Sequence, residues 1–187
     1  WDYELRFNEN AHHVVQRAFQ MAATQPCGPV YLTLPREVLV EKIKKVQVLD
    51  IDRFAPPTTP EADRPMLERA AEILAEARDP LIIVGYSGRN PDAVQPLVEL
   101  AETIGARVSS TGARMNFPTN HPLVVSGFMG EYLKQADVIL VIDHDIPYIP
   151  AIAKPAPSTK IIHIDIDPIK KDMVMWGFPS DILIHAD

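Results

Sequence analysis

The chain has 187 residues, of which 47% are hydrophobic and 23% are charged, and its formal net charge is −7. This is the composition of a globular protein with a sizeable core, and its acidic balance argues against nucleic-acid binding, which needs a basic surface. No apolar run is long enough to span a membrane, no signal-peptide pattern opens the chain, and the single cysteine, Cys27, excludes an internal disulfide. We therefore expect a cytoplasmic protein with no nucleic-acid or membrane partner.

The first 63 residues predict a helix, a strand and a linker. Apolar residues recur with helical spacing between Asn10 and Thr24, and "VYLTL" at 30–34 is typical of a short buried strand. The stretch "APPTTPEADRP" at 55–65 contains four prolines in eleven residues, as linkers often do. We assign residues 1–40 to one domain remnant and 41–63 to a linker. The chain begins with Trp1, and we expect it to be a piece of a longer polypeptide.

Residues 64–187 show a regular alternation of helices and strands and form the second predicted domain. One helix is predicted to begin at Pro65, and a second is predicted to end at Ile104 with Gly105 as its cap. A third helix is predicted over "EYLKQA", and a short helical turn at "PIKKD". Between them lie apolar strands at 80–85, 106–110, 137–143, 160–166 and 181–187. Continuous apolar strands separated by helices predict a parallel sheet covered on both faces, which is the doubly wound α/β fold.

The residues that follow the strands are the candidate binding site, because ligands of doubly wound sheets bind at the carboxyl ends of the strands. Glycine amides at these ends can approach a phosphate, and an aspartate there can accept hydrogen bonds from ribose hydroxyls. The alternatives are tight turns for the glycines, a helix cap for the aspartate, and solvated side chains for Arg89 and Arg114. The predicted cofactor-binding residues are Gly85, Gly88, Thr111, Gly112, Asp143 and Asp165.

Two acidic clusters also contain metal-ligand residue types. Asp143, His144 and Asp145 are adjacent, so in an extended stretch they cannot all converge on one ion. His163 and Asp165 lie on one side of a predicted strand, since side chains alternate with a period of two. We rank the ribose interpretation of Asp165 above a metal site, and we predict neither a metal ligand nor a catalytic residue in this chain.

The order of several sequence blocks resembles thiamine diphosphate enzymes. "GPVYLTLP" and the proline-rich linker resemble the end of their pyrimidine-binding domain. The blocks "AAEILAEARDPLIIVGYSG", "LVELAETIGARV", "FPTNHPLVVSG", "QADVILVID" and "KIIHIDIDPIK" resemble their Rossmann-like central domain. The acetolactate synthase group looks most similar, with benzoylformate decarboxylase and similar lyases nearby.

The resemblance implies a longer parent with three α/β domains, of which the first and last build the active site. Thiamine diphosphate and magnesium are then cofactors of the full-length parent, because the family's activating glutamate and metal motif lie outside this piece. The parent is implied to be a transferase or lyase acting on 2-keto acids, and the fragment alone is expected to be inactive. In the family the central domain binds FAD, an ADP-type nucleotide or nothing.

This chain departs from the FAD-binding members at one place. They usually follow the strand at 137–142 with a glycine and soon an arginine, whereas Asp143, His144 and Asp145 stand here. Two added acids disfavour a phosphate-bearing ligand. The alternatives are a stand-alone nucleotide-binding domain, either a flavoprotein or sirtuin-like, and a scaffold domain without a ligand.

The expected partners are the remaining domains of the parent and a second copy of the chain. In residues 1–40 we predict only one helix and the strand Val30–Leu34, which cannot bury both faces of that strand. An unpaired apolar strand is a template for pairing with another chain, so we expect the segment either to pack on the second domain or to dock on a second copy, which gives a homo-oligomer.

Overall fold

The computed structural model describes residues 1–43, 45, 50–111 and 114–187. They form two units, Trp1–Thr59 and Pro60–Asp187, and the division falls inside the predicted linker. Of the helices described in these ranges, none is both long and apolar enough to cross a bilayer.

The first unit contains helix α1 (Ala11–Ala23), a two-stranded parallel sheet of β1 (Asp2–Glu4) and β2 (Tyr31–Thr33), and a short helix α2 (Arg36–Leu39). The predicted helix and strand are therefore confirmed. The expectation of an unpaired strand is wrong, because β2 aligns with β1. The sequence Asp2–Tyr3–Glu4 has two acids and one aromatic residue, so β1 offers no apolar pattern to detect. Side chains of this unit nevertheless stay exposed, with Phe19 at 69% and Tyr31 at 70%.

In its described residues, the second unit contains three α-helices and five strands. The helices are α3 (Arg64–Glu76), α4 (Val94–Ile104) and α5 (Met129–Gln135). The strands are β3 (Pro80–Val84), β4 (Arg107–Ser110), β5 (Val138–Ile142), β6 (Lys160–Asp165) and β7 (Ile182–His185). All five strands and all three helices lie where the sequence predicts them.

Local signals fix the ends of the helices. The carboxylate of Asp63 accepts a hydrogen bond from the Met66 amide at 3.2 Å, and Pro65 occupies the first turn of α3. Helix α4 ends at Gly105, whose φ of +65° is the left-handed conformation of a glycine cap. Both signals were readable from the sequence.

The sheet of the second unit is entirely parallel and has the strand order β4-β3-β5-β6-β7. The chain first adds β4 on one side of β3, and then crosses over to add β5 on the other side. The strand order thus reverses between β3 and β5, and this switch point is where doubly wound sheets place their ligands.

Apolar side chains bury both faces of the sheet. One cluster joins Ile82, Leu140 and Ile162 to residues of α3 and α4. The other joins Ile83 and Ile139 to α5. A sheet buried on both faces explains why its strands have continuous apolar sequences, and the predicted doubly wound fold is confirmed.

Two of the crossover connections contain no helix. Residues 143–159 join β5 to β6, residues 166–181 join β6 to β7, and all of them are described as turns, bends or irregular chain. The helical turn predicted at "PIKKD" is therefore wrong. Lys170 within it has a φ of +48°, which a right-handed helix cannot contain.

Candidate functional site

The switch point is closed by the protein's own backbone and side chains. Gly85 follows β3, and its amide donates to the carbonyl of Ile142 at the end of β5, at 3.2 Å. A Cβ placed on Gly85 would lie 2.7 Å from the Asp143 carbonyl oxygen and 3.0 Å from Cδ2 of His144. The space that the glycine leaves free is thus taken by the segment that follows β5.

His144 connects the ends of four strands. Its Nδ1 accepts a hydrogen bond from the Ile146 amide at 3.1 Å, so in the neutral ring Nε2 carries the proton and donates to the Thr111 hydroxyl. The backbone amide of His144 donates to Oδ2 of Asp165 at 3.1 Å. Burial lowers the pKa of His144, which favours this neutral ring.

Asp165, at the end of β6, is the centre of a buried polar cluster. It is 1% exposed, and its Oδ2 accepts from Nζ of Lys170 at 2.8 Å and from Nε2 of His163 at 3.3 Å. Its Oδ1 accepts from the Asp167 amide at 2.7 Å. Lys170 also forms an ion pair with Asp145 at 3.0 Å. The carboxylate that we expected to meet a ribose is therefore satisfied by donors of the same chain.

The protonation states follow from these contacts. Burial alone would raise the pKa of Asp165, but the hydrogen bonds from His163, Lys170 and the Asp167 amide outweigh it and lower the pKa to about 2. Burial would lower the pKa of Lys170, but its hydrogen bonds to Asp165 and Asp145 raise it. At neutral pH the cluster contains a buried ammonium between two carboxylates.

A second ion pair links Asp143 to Arg89. Nη1 of Arg89 lies 2.6 Å from Oδ2 of Asp143, and Nη2 pairs with Asp187. Asp143 has a φ of +46°, an uncommon conformation for a residue with a side chain. Burial raises the pKa of Asp143 in spite of the opposing Arg89 guanidinium. Arg89, whose side chain the sequence left open to solvent, is thus already held by two carboxylates.

Gly88 and the loop after β4 are joined by Asn116, which is 0% exposed. Its Oδ1 accepts from the Gly88 amide at 2.9 Å, and its Nδ2 donates to the carbonyls of Gly85 at 2.9 Å and Thr111 at 3.1 Å. A Cβ on Gly88 would lie 2.3 Å from the Met115 carbonyl oxygen. The glycine therefore makes room for the neighbouring loop.

The structure brings five of the six predicted cofactor-binding residues to one edge of the sheet. Gly85 contacts the Asp143 segment, Asn116 joins Gly88 to Thr111, and His144 joins Thr111 to Asp165. Gly112 lies outside the described residues. That these residues bind a cofactor remains a prediction.

Residues 67–180 match the family described as "Thiamine pyrophosphate enzyme, central domain". The chain belongs to this family. The resemblance found in the sequence is thereby confirmed.

Individual relatives of this thiamine pyrophosphate enzyme domain match over nearly the whole chain. A probable acetolactate synthase large subunit of Methanocaldococcus jannaschii is 29% identical, over 97% of this chain and 34% of its own length. A sulfoacetaldehyde acetyltransferase of Rhodobacter capsulatus is 30% identical, over 100% of this chain and 32% of its own length. The chain thus spans about a third of these relatives.

The fold of this domain also recurs in a solved structure. The benzoylformate decarboxylase of Polynucleobacter necessarius superposes with a TM-score of 0.74 at 24% identity, over 97% of this chain and 35% of the other. At this identity the match concerns the fold alone.

The fit of a metal ion and of a nucleotide to this thiamine pyrophosphate enzyme domain can be judged from its described residues. Among the described residues, no three His, Cys, Asp or Glu side chains are grouped so that they could hold a metal ion. A nucleotide fits the strand ends poorly as well. Two of the cations there, Arg89 and Lys170, are already paired with carboxylates, and His144 and Asp143 fill the space beside Gly85.

Several residues of this site escaped the sequence analysis. Lys170 lies in a segment predicted as a helical turn, and Asn116 lies in a long loop with no periodic pattern. Trp176, whose indole Nε1 donates to the Asp145 carbonyl at 2.6 Å, lies eleven residues beyond the end of β6. The sequence contained one indirect signal for them: acidic residues follow three of the strands, and such residues need hydrogen-bond donors from elsewhere in the chain.

We expect the second unit to lose stability in acid because of Asp165. Its pKa is lowered from 3.8 to about 2 in the folded protein. Ionised Asp165 therefore stabilises the folded unit by about 2 kcal/mol. This stabilisation is complete above the pKa that Asp165 has in the unfolded chain, and it is lost as the pH falls from about 5 towards about 2. Urea unfolding of the wild type and of Asp165→Asn across this range should give a shallower pH dependence for the variant. The raised pKa of Asp143 contributes with the opposite sign in both proteins, and its largest cause, burial, does not depend on Asp165. Parallel curves would contradict the assignment.

Proposed function

We propose that the chain is the central part of a thiamine diphosphate-dependent enzyme that acts on 2-keto acids in the manner of acetolactate synthase. The observation that carries this proposal is the similarity to an acetolactate synthase large subunit over 97% of the chain. The similarity to a sulfoacetaldehyde acetyltransferase over 100% of the chain supports an acyl-group transferase as the reaction class. Decarboxylation by a lyase is the neighbouring possibility within the same proposal.

In this proposal the central domain is a scaffold and does not carry out the carbon–carbon chemistry. Its most polar region, the edge formed by the strand ends, is occupied by ion pairs and hydrogen bonds within the chain. Thiamine diphosphate and magnesium would be held by other parts of the enzyme. The same internal pairing disfavours FAD or an ADP-type nucleotide as a ligand of this domain, and with it the rival function as a stand-alone flavoprotein or sirtuin-like module.

The first unit supports the further proposal that the 187-residue chain forms a homo-oligomer. Its two-stranded parallel sheet has exposed side chains on β1 and β2, including Tyr31 at 70% exposure. Parallel sheets are normally covered on both faces, so other polypeptide is expected to cover this one. Light scattering of the 187-residue chain, compared with a chain that starts near Pro60, tests this; a molar mass equal to that of one chain would contradict it.

The experiment that tests the enzymatic proposal compares the 187-residue chain with the complete polypeptide encoded by its gene. We expect the complete protein to release carbon dioxide from pyruvate or another 2-keto acid only when thiamine diphosphate and magnesium are present. We expect the chain alone to show no turnover. Turnover by the chain alone would contradict the scaffold role. A complete protein that is inactive on pyruvate, 2-ketobutyrate and benzoylformate would contradict the substrate class.

A further inference from the structure

The connection between β6 and β7 contains no helix, which is unusual for a parallel sheet. We call residues 167–178 the strap. Parallel strands are usually joined through a helix, whereas the strap, all of which is described, contains only turns and irregular chain. It starts at the carboxyl end of β6 and contacts the α5 side of the sheet through Phe178. A connection without a helix must be held to the sheet by contacts of individual side chains, which we call its anchors.

The first anchor is Lys170. It is 8% exposed and its ammonium lies between Asp165 at 2.8 Å and Asp145 at 3.0 Å. The residue has a φ of +48°, which a lysine adopts only where its surroundings impose it. The ion pairs thus hold the strap at the ends of β5 and β6.

The second anchor is Trp176. Its indole Nε1 donates to the Asp145 carbonyl at 2.6 Å, and its ring centroid lies 5.7 Å from that of the buried His163. Phe178 continues the contact, with its ring 5.5 Å from Trp176 and 5.0 Å from Tyr148. Tyr148 and Phe178 belong to the apolar cluster on the α5 side of the sheet.

The segment between the two anchors is exposed to solvent. Val174 is 97% exposed and Met175 is 96% exposed. The strap is therefore fixed at two points and free of the domain between them, so its docking depends on Lys170 and Trp176.

We propose that the strap is a built-in occupant of the ligand site at the switch edge of this sheet. In nucleotide-binding doubly wound sheets, an acidic residue at a strand end accepts hydrogen bonds from ribose hydroxyls. Here the corresponding acceptors, the Asp165 carboxylate and the Asp145 carboxylate and carbonyl, receive their hydrogen bonds from Lys170 and Trp176. The strap takes the role of the nucleoside and makes the domain independent of a nucleotide.

The charge of the edge supports this assignment. Asp165 and Asp145 place two negative charges beside one another, and the Lys170 ammonium neutralises part of this charge. A pyrophosphate would add negative charge to the same region, whereas an ammonium removes it. A nucleotide would therefore have to displace the strap and also overcome repulsion from the uncovered acids.

The test uses the whole 187-residue chain and two readouts. The first is hydrogen exchange of the strap in the wild type and in Trp176→Phe, which keeps a ring and removes the indole N–H. We expect exchange in residues 167–178 to become roughly fivefold faster or more, because the lost hydrogen bond leaves the Asp145 carbonyl unpaired. The matched control is Met175→Ala, whose side chain is exposed, and its exchange should equal that of the wild type.

The second readout is the binding of ADP and of FAD, measured by calorimetry at ligand concentrations up to about 1 mM, where only very weak sites escape detection. We expect no saturable binding to the wild type. Saturable binding of either ligand that is lost in Asp165→Asn would overturn the proposal, because the edge would then accept a nucleotide with the strap in place. Unchanged strap exchange in Trp176→Phe would overturn it as well.

Lys170→Met provides a second variant, with Lys171→Met as its exposed control, and should accelerate strap exchange in the same way. Neither readout depends on thiamine diphosphate chemistry, so failure here is distinct from failure of the enzymatic proposal.

Discussion

Replacing Asp165 with alanine should lower the free energy of unfolding of the Pro60–Asp187 unit by roughly 3–5 kcal/mol, the usual cost of removing one partner from a buried ion pair. The carboxylate is 1% exposed and receives hydrogen bonds from Lys170, His163 and the amides of His144 and Asp167. Without it, the Lys170 ammonium keeps only Asp145, and two backbone amides lose their acceptor. Hydrogen exchange of the central strand β5 measures the loss.

Asp172 supplies the matched control for this substitution. It is an exposed aspartate seven residues further along the chain, so Asp172→Ala should change the stability by no more than about 0.5 kcal/mol. Asp165→Asn should lie between the two, because the amide retains one acceptor oxygen and is uncharged. If Asp165→Ala proved as mild as Asp172→Ala, the buried cluster would contribute nothing to the stability of the unit.

The fold was predictable because each of its elements is marked locally. The strands β3 and β5 are continuous apolar runs, and Pro65 and Gly105 mark helix ends by their backbone preferences. β1 was not predictable. It has three residues, two of them acidic, and its pairing with β2 joins positions almost thirty residues apart.

The position of the site could be predicted from the sequence, but the contacts of its acidic side chains could not. The rule that ligand-binding residues follow parallel strands identified Thr111, Asp143 and Asp165 as neighbours, and His144 does connect the first to the third. The rule says nothing about what the acids contact. Their partners, Lys170 and Trp176, lie in irregular chain, where no periodicity shows which side chain points inward. Only the three-dimensional path of the strap brings these donors to the strand ends.

Replacing Asn116 with alanine is the other substitution for which we expect a large effect. The side chain accepts from the Gly88 amide and donates to the carbonyls of Gly85 and Thr111, all within 3.1 Å. Each buried backbone group left without a partner costs about 1–3 kcal/mol, so the loss should total roughly 3 kcal/mol or more. Urea unfolding measures this total, and hydrogen exchange of the Gly88 amide reports directly on the lost acceptor.

Asn90→Ala is the control, because Asn90 is exposed and its side chain accepts from the Asp92 amide at 3.1 Å. It should cost about 1 kcal/mol, as lost capping residues do. Asn116→Asp separates the two halves of the Asn116 network. It keeps the acceptor for the Gly88 amide but turns a carboxylate oxygen towards the carbonyls of Gly85 and Thr111, so at neutral pH it should destabilise the unit at least as much as alanine does. If Asn116→Asp instead retained the wild-type stability, the acceptor for Gly88 would be the only contact that matters, and the amide donors would not hold the loop after β4 against the turn after β3.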